Sequence, residues 1–312
     1  MLTGAPIVWF AEAIVSAGLV AADILHTPES PVLKWGFVIV TLYTGPIGLV
    51  LYLWSCREPL PGSHEEYVRA RWRQVVGSTM HCVAGDGLGI LLAAAVTGSL
   101  GLPAWADLLV EYAAGFGFGW TIFQALFMKD MAGGSYRRSL RMTFLPELVS
   151  MNGLMAGMAA VSVPWRQAVT AASGPGDAGF WFIYCVALTV GFAVSYPINW
   201  WLVSAGLKHG MMTVRPGGQP VALAGGLALA GAALASSGAS RAELHGGKET
   251  AGQVLSQSPG PPEHAEHLGH RPGGAGGSPP AERVKVAMVT LSLAVLALGL
   301  LVAGTAGSLT AG

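Results

Sequence analysis

Charge is what this chain has least of. Only 11% of its 312 residues are Asp, Glu, Lys or Arg, against 52% apolar, and the mean hydropathy is +0.53. That balance excludes an ordinary soluble domain and points to a protein whose solvent is the lipid bilayer. Net charge is missing too: 17 basic residues face 17 acidic ones, so no global field recruits nucleic acid. The three cysteines, Cys56, Cys82 and Cys185, are too few and too scattered for a disulfide framework, and free thiols are expected. Also absent are a phosphate-binding Walker loop, a dinucleotide fingerprint, a zinc-protease helix and a nucleophile elbow, which argues against an ATP-driven pump and a soluble enzyme.

What is present is a series of long apolar runs. A bilayer core needs about 20 apolar residues per helix. Sliding that length along the chain gives eight candidates, at about 6 to 25, 34 to 55, 75 to 98, 105 to 128, 142 to 163, 179 to 205, 219 to 238 and 284 to 305. The predicted fold is therefore all-α, a polytopic integral membrane helical bundle. The first run has no basic residue before it and carries Glu12, so it reads as a retained span rather than a signal peptide. The seventh, "PVALAGGLALAGAALASSG", is rich in small residues and is the weakest of the set.

The few cations set an orientation. "CREPLPGSHEEYVRARWR" and "KDMAGGSYRRSLR" concentrate Arg57, Arg69, Arg71, Arg73, Lys129, Arg137, Arg138 and Arg141, whereas "TGSLGLPAWA" has none. By the positive-inside rule the first two loops are cytoplasmic. Eight crossings in that register put both termini in the cytoplasm of a prokaryotic inner membrane and residues 239 to 283 outside. That hydrophilic stretch is Gly/Pro/Ser-rich and expected to be disordered. Its "EHAEHLGH" spaces His264, His267 and His270 by three, a pattern that can collect zinc-like or copper-like ions and equally suits a solvated linker.

Ionisable residues inside the spans cost roughly 2.5 to 3.5 kcal/mol each on insertion scales, so they need partners or a wet cavity. Glu12, Asp86, Glu111 and Glu147 fall on spans one, three, four and five, with no Lys or Arg deep in any strong span to neutralise them. Unpaired carboxylates must take up protons, share one, or bind a cation. On span three, "STMHCVAGDGLGILL" places Cys82 and Asp86 on one face with His81 about 100° round the helix. With Met80, the set offers soft and borderline ligands suited to copper or zinc. Ordinary helix pairing accounts for the same residues. Gly85, Gly87 and Gly89, and the "GFGFG" of span four, are read as helix contacts. On span five Glu147, Met151, Met155 and Met158 form one stripe, more a packing pattern than a ligand set. A faint correspondence between "HCVAGDGL" and "ELVSMNGL" points to a duplicated helix pair.

The stretches "HCVAGDGLGI", "EYAAGFGFGWTIFQALFM", "FLPELVSMNGLMAGM" and "GFAVSYPINWWLVSAGLKHGM" resemble an uncharacterised prokaryotic membrane family, domain of unknown function 4396, over roughly residues 70 to 212. Carried over by position, the resemblance picks out His81, Cys82, Gly85, Asp86, Glu111, Trp120, Gln124, Tyr196, Pro197, Asn199 and Trp200. Members often carry a hydroxyl residue where this chain has Gly87, and some carry copper-related labels.

These readings converge on a transporter or permeation protein for a transition-metal ion, or for protons with another solute. His81, Cys82, Asp86, Glu111, Glu147, Gln124 and Asn199 are its candidate ion- or substrate-binding residues. His81, Cys82 and the three loop histidines are the candidate copper or zinc ligands. An intramembrane metal-insertion or redox factor and a structural subunit are the rival classes, and a homo-oligomer is compatible with each. The short connection at 99 to 104 makes spans three and four antiparallel neighbours, so Asp86 and Glu111 are expected to share a proton or cation.

Overall fold

The computed structural model describes residues 4–126, 129, 134–169, 174–212 and 282–310. Within them every regular element is helical and no strand occurs. In chain order they are α1 (Ala5–Ile24), α2 (Pro31–Thr44), α3 (Pro46–Ser55), α4 (His64–Val68), α5 (Arg71–Thr97) and α6 (Ala104–Phe118). A π-helical segment, Gly119–Leu126, continues α6, and α7 (Tyr136–Ala168), α8 (Ala178–Ser204) and α9 (Glu282–Ala306) follow. Five of these, α1, α5, α7, α8 and α9, are long and apolar enough to cross a membrane, and α6 with its π continuation makes a further rod. The protein is a helical membrane protein. Its centre is α5 and α7, whereas α1 and α9 turn Ile7, Ile14, Leu291, Leu298 and Leu301 outward, as helices that meet lipid do.

Helix directions follow from the contacts. The α5 and α6 helices are antiparallel, with Gly89 of one against the backbone of Ala114 and Gly115 of the other, and Thr97 donating to Asp107. The α7 and α8 pair repeats the arrangement through Gly157 and Gly191. Both sequence halves of the suspected duplication are thus glycine-closed antiparallel pairs. The α9 helix runs parallel to α7: Met288 packs with Val149, Ser292 meets Asn152, Gly299 lies on Ala156, and Gly307 reaches Pro164.

One end of this bundle gathers the chain near residues 25–34, 55–76, 120–126, 134–141, 200–212 and 282–286. The other gathers Trp9 with Phe182, Trp165 with Phe182, Gly98 with Gly174, and Gln167 with Ser308. Among the described residues every Lys and Arg except Arg166 lies at the first end, called here the basic end.

Two expectations about the path are corrected. The run at 34 to 55 is not one crossing. Gly45, at φ 59° and followed by Pro46, breaks it, and a Cβ at Gly48 would press on Thr41, so α3 folds back along α2. The ends of this hairpin return to the same place: Tyr52 donates to Asp23 at 2.7 Å, Arg57 pairs with Asp23 at 3.2 Å, and His64 meets Glu29 at 2.8 Å. A positive φ is a glycine conformation, and Gly-Pro is a turn signal that a hydropathy window passes over. Removing that crossing reverses α1, so its first residues lie at the end opposite the basic loops. The C-terminal end of α9 lies there as well, contrary to the expectation that both termini accompany the basic loops. The predicted crossing at 219 to 238 falls outside the described residues.

Candidate functional site

Local chemistry brings a lysine into the middle of the bundle. The α8 helix ends on Gly206, at φ 70°, and the amides of Leu207 and Lys208 both bond back to the carbonyl of Leu202. This glycine-terminated turn closes the helix and reverses the chain, so the Lys208 side chain runs inward along α8. Its ammonium donates to Asn199 Oδ1 at 2.6 Å and to Cys82 Sγ at 2.7 Å. Asn199 in turn donates to Ser150 at 2.9 Å. The absence of an internal cation, expected from the spans alone, is therefore overturned: the cation arrives from the loop beyond α8.

Cys82 is the hub. Besides Lys208, its sulfur accepts from Gln124 Nε2 at 2.6 Å, and the thiol faces Glu147 Oε2 at 3.1 Å. Gln124 reaches it from the π-helical segment, where the widened turn carries residues 119 to 126 around the contact with α5. Such segments recur at functional sites. His81, one residue away, turns elsewhere: its Nε2 lies 3.0 Å from the Phe123 carbonyl and its Nδ1 has no partner.

Asp86 and Glu147 complete the cluster. Both are fully buried. A Cβ at Gly119 would overlap Asp86 Oδ1 and stand 2.8 Å from Glu147 Oε1, so the two carboxyl groups converge on the bare face of that glycine. Among the described residues neither oxygen of Asp86, nor Oε1 of Glu147, finds a donor, and the two carboxyls are near enough to bond to each other once one of them carries a proton. Two carboxylates against one ammonium leave one negative charge in excess. In a low-dielectric interior that excess demands a proton or a cation. Lys208 lies beyond the end of α8. Burial works against its charge, but Cys82, Glu147 and Asp86 outweigh this and raise its pKa above the ordinary lysine value.

Glu111 belongs to a second network. Its carboxylate accepts from Tyr184, whose hydroxyl also receives Arg166 at 2.9 Å, and Arg166 pairs with Asp107 at 2.5 Å. Glu111, Gly115 and Gly119 share one face of α6. Since Gly119 is level with the Asp86 carboxyl, Glu111 sits eight residues back, about 12 Å along the axis. The expected sharing between Asp86 and Glu111 is thus replaced by Asp86 with Glu147, and by Glu111 with Tyr184 and Arg166.

Of the residues singled out from sequence, the structure joins Cys82, Asp86, Glu147, Gln124 and Asn199. It sets His81 beside them facing a carbonyl, and it separates Glu111. His264, His267 and His270 lie outside the described residues. Met151, Met155 and Met158 are buried core, and Gly117 of "GFGFG" meets nothing within 4 Å. Lys208, Ser150 and Tyr184 were missed. The signal for Lys208 was the Gly206 helix stop just before it. Among the described residues no three His, Cys, Asp or Glu side chains are grouped to hold a metal ion. The Cys82 sulfur accepts from Lys208 and Gln124, and His81 keeps Nδ1 without a partner among the described residues.

A helical bundle with a buried cluster of two carboxyls, a thiol and one ammonium defines a membrane protein with an ionisable core. Residues 71–208, which run from the start of α5 to Lys208 itself, match the model of a family described as a domain of unknown function (DUF4396). No curated protein and no solved structure matches the chain.

Proposed function

We propose that the protein is a membrane permeation protein that moves protons together with another solute, with Asp86 and Glu147 as the proton-carrying pair and Lys208 as their fixed counter-charge. The observation that supports this reading most is the convergence of two carboxyls on Gly119 with three oxygens unpaired and a single cation to balance them. A structural pair would satisfy those oxygens, because an unpaired buried acceptor costs about 1 to 3 kcal/mol and charged ones more. Intramembrane carboxyls left in this state are the usual parts of proton relays. The proton is preferred to a transition-metal cargo because the Cys82 sulfur that would bind a metal already accepts from Lys208 and Gln124.

Orientation follows from the basic end. With Arg57, Arg69, Arg71, Arg73, Arg137, Arg138 and Arg141 gathered there, that end faces the cytoplasm in this proposal, and both described chain ends face outward. The test is an acid step applied to proteoliposomes containing a trapped pH dye. Wild-type protein should collapse the gradient, whereas Asp86→Asn and Glu147→Gln should slow it to the rate of protein-free vesicles. Folded single variants that both conduct like wild type would sink the proposal.

A further inference from the structure

A cavity of about 70 Å³ opens at the basic end and reaches Lys208. Its lining includes Ser78, Gln124, Thr143 and Lys208, with Met142 and His209 at the exposed rim. Among the described residues no Asp or Glu lines it. Ser78 is fully buried and its hydroxyl has no partner among the described residues. Lys208 has three N–H donors, of which Cys82 and Asn199 take two. Gln124 has two, of which Cys82 takes one. Each of these three side chains therefore has a donor left over where it meets the cavity.

We propose that this cavity is a binding site for a small monovalent anion, held by Lys208 Nζ, Gln124 Nε2 and Ser78 Oγ. The inference rests on the proton-carrying role of Asp86 and Glu147 and supplies the solute that accompanies the proton. A buried ammonium among neutral donors, without a carboxylate in the lining, selects negative charge. The ring of arginines at the same end raises the local concentration of anions before they enter. Cavity volume restricts the ligand to a few heavy atoms, since a water molecule claims about 30 Å³ of liquid volume.

Coupling follows from charge balance. With one proton on the carboxyl pair, Lys208 cancels the remaining carboxylate and an anion gains nothing net. A second proton leaves Lys208 uncompensated, and the anion takes the place of the lost negative charge. Anion and proton then bind with mutual reinforcement, as linkage requires.

The test uses the full-length protein in nanodiscs, with sodium formate as probe and sodium gluconate, too large for the cavity, as the ionic-strength control. Calorimetry should show saturable formate binding, and a dye in weak buffer should show proton uptake accompanying it. Lys208→Met should abolish binding. Ser78→Ala, which removes a hydroxyl with no internal partner and so leaves folding intact, should weaken binding by about tenfold, the worth of a hydrogen bond to a charged group. Two results overturn the anion site: no saturable formate binding by wild-type protein that still moves protons in vesicles, or binding indifferent to Ser78→Ala and to Lys208→Met. Formate binding that is lost on Lys208→Met but draws no proton would retain the site and overturn the proton-carrying reading instead.

Discussion

Gly119→Ala is the sharpest probe of the carboxyl pair, because the added methyl lands on it. The new Cβ would overlap Asp86 Oδ1 and lie 3.0 Å from Asp86 Cγ and 2.8 Å from Glu147 Oε1. Asp86 has no room to retreat: Gly85 beside it already abuts the Phe123 ring, and Gly89 one turn on abuts Ala114. Overpacking of this kind costs about 1 to 3 kcal/mol. Alanine also relieves the helix of a glycine, which is worth about 1 kcal/mol in the opposite direction. Stability alone therefore moves by only about 0 to 2 kcal/mol, and a control is needed to expose the clash. Gly117→Ala provides it, since a Cβ at Gly117 meets nothing within 4 Å. That variant should be neutral or slightly stabilised, with wild-type proton movement in vesicles. Gly119→Ala should be less stable than Gly117→Ala by about 1 to 3 kcal/mol and should lose proton movement. Adding Asp86→Ala to Gly119→Ala should recover most of the stability and none of the transport, a coupling of about 0.5 to 3 kcal/mol in a double-mutant cycle. Thermal unfolding of the four proteins in one detergent measures it. If Gly117→Ala and Gly119→Ala behave alike, the convergence on Gly119 is wrong.

Arg166→Ala should destabilise the bundle by about 3 kcal/mol, at the low end for a broken buried pair because Arg166 is partly exposed. Arg166→Lys should recover most of that, since one guanidinium nitrogen serves both Asp107 and Tyr184 and a single ammonium can take its place, and denaturation of Arg166→Ala within about 0.5 kcal/mol of wild type would remove the network's structural role. For topology, single cysteines at Gly4 and Thr310 should react with an impermeant maleimide from the outside of intact cells, and one at Ser135 only after permeabilisation. Labelling of Ser135 and Thr310 from one side would overturn the shared position of the two chain ends.

The uninterrupted spans were legible because burial in lipid needs only length and apolarity. Runs predicted at 75 to 98 and 179 to 205 became Arg71–Thr97 and Ala178–Ser204. The hairpin at Gly45 escaped because an apolar run of spanning length has the same hydropathy whether it crosses or turns back. Only the Gly-Pro dipeptide distinguishes the two. In the site, Cys82, Asp86 and Glu147 stood out as polar groups in apolar surroundings, and that test works wherever the element itself is apolar. Lys208 failed it, because a lysine in a basic loop looks solvated until the turn at Gly206 sends it inward. The partner of Glu111 was misassigned for a related reason: a short loop fixes which helices are neighbours but not their relative depth, and one helical turn changes a side chain's partner.

The two networks have the same composition and opposite positions. Asp86 and Glu147 share Lys208 near the basic end, and Asp107 and Glu111 share Arg166 near the other. Each holds two carboxyls for one cation, so each is short of one positive charge when fully ionised. Between them stands an apolar layer, where Ile90 and the Met151 methyl close on Gly115, midway between Glu111 and Gly119. A proton cannot step about 12 Å through hydrocarbon, so transfer between the two sites requires that layer to open. The π-helical segment starts one turn beyond it, at Gly119. Returning that segment to α-helical pitch would rotate Gln124 and Phe123 relative to Cys82 and Gly85, the residues they now touch. The same movement that breaks the hold on the Cys82 thiol would therefore loosen α6 against α5, at the residues that close the basic-end cluster.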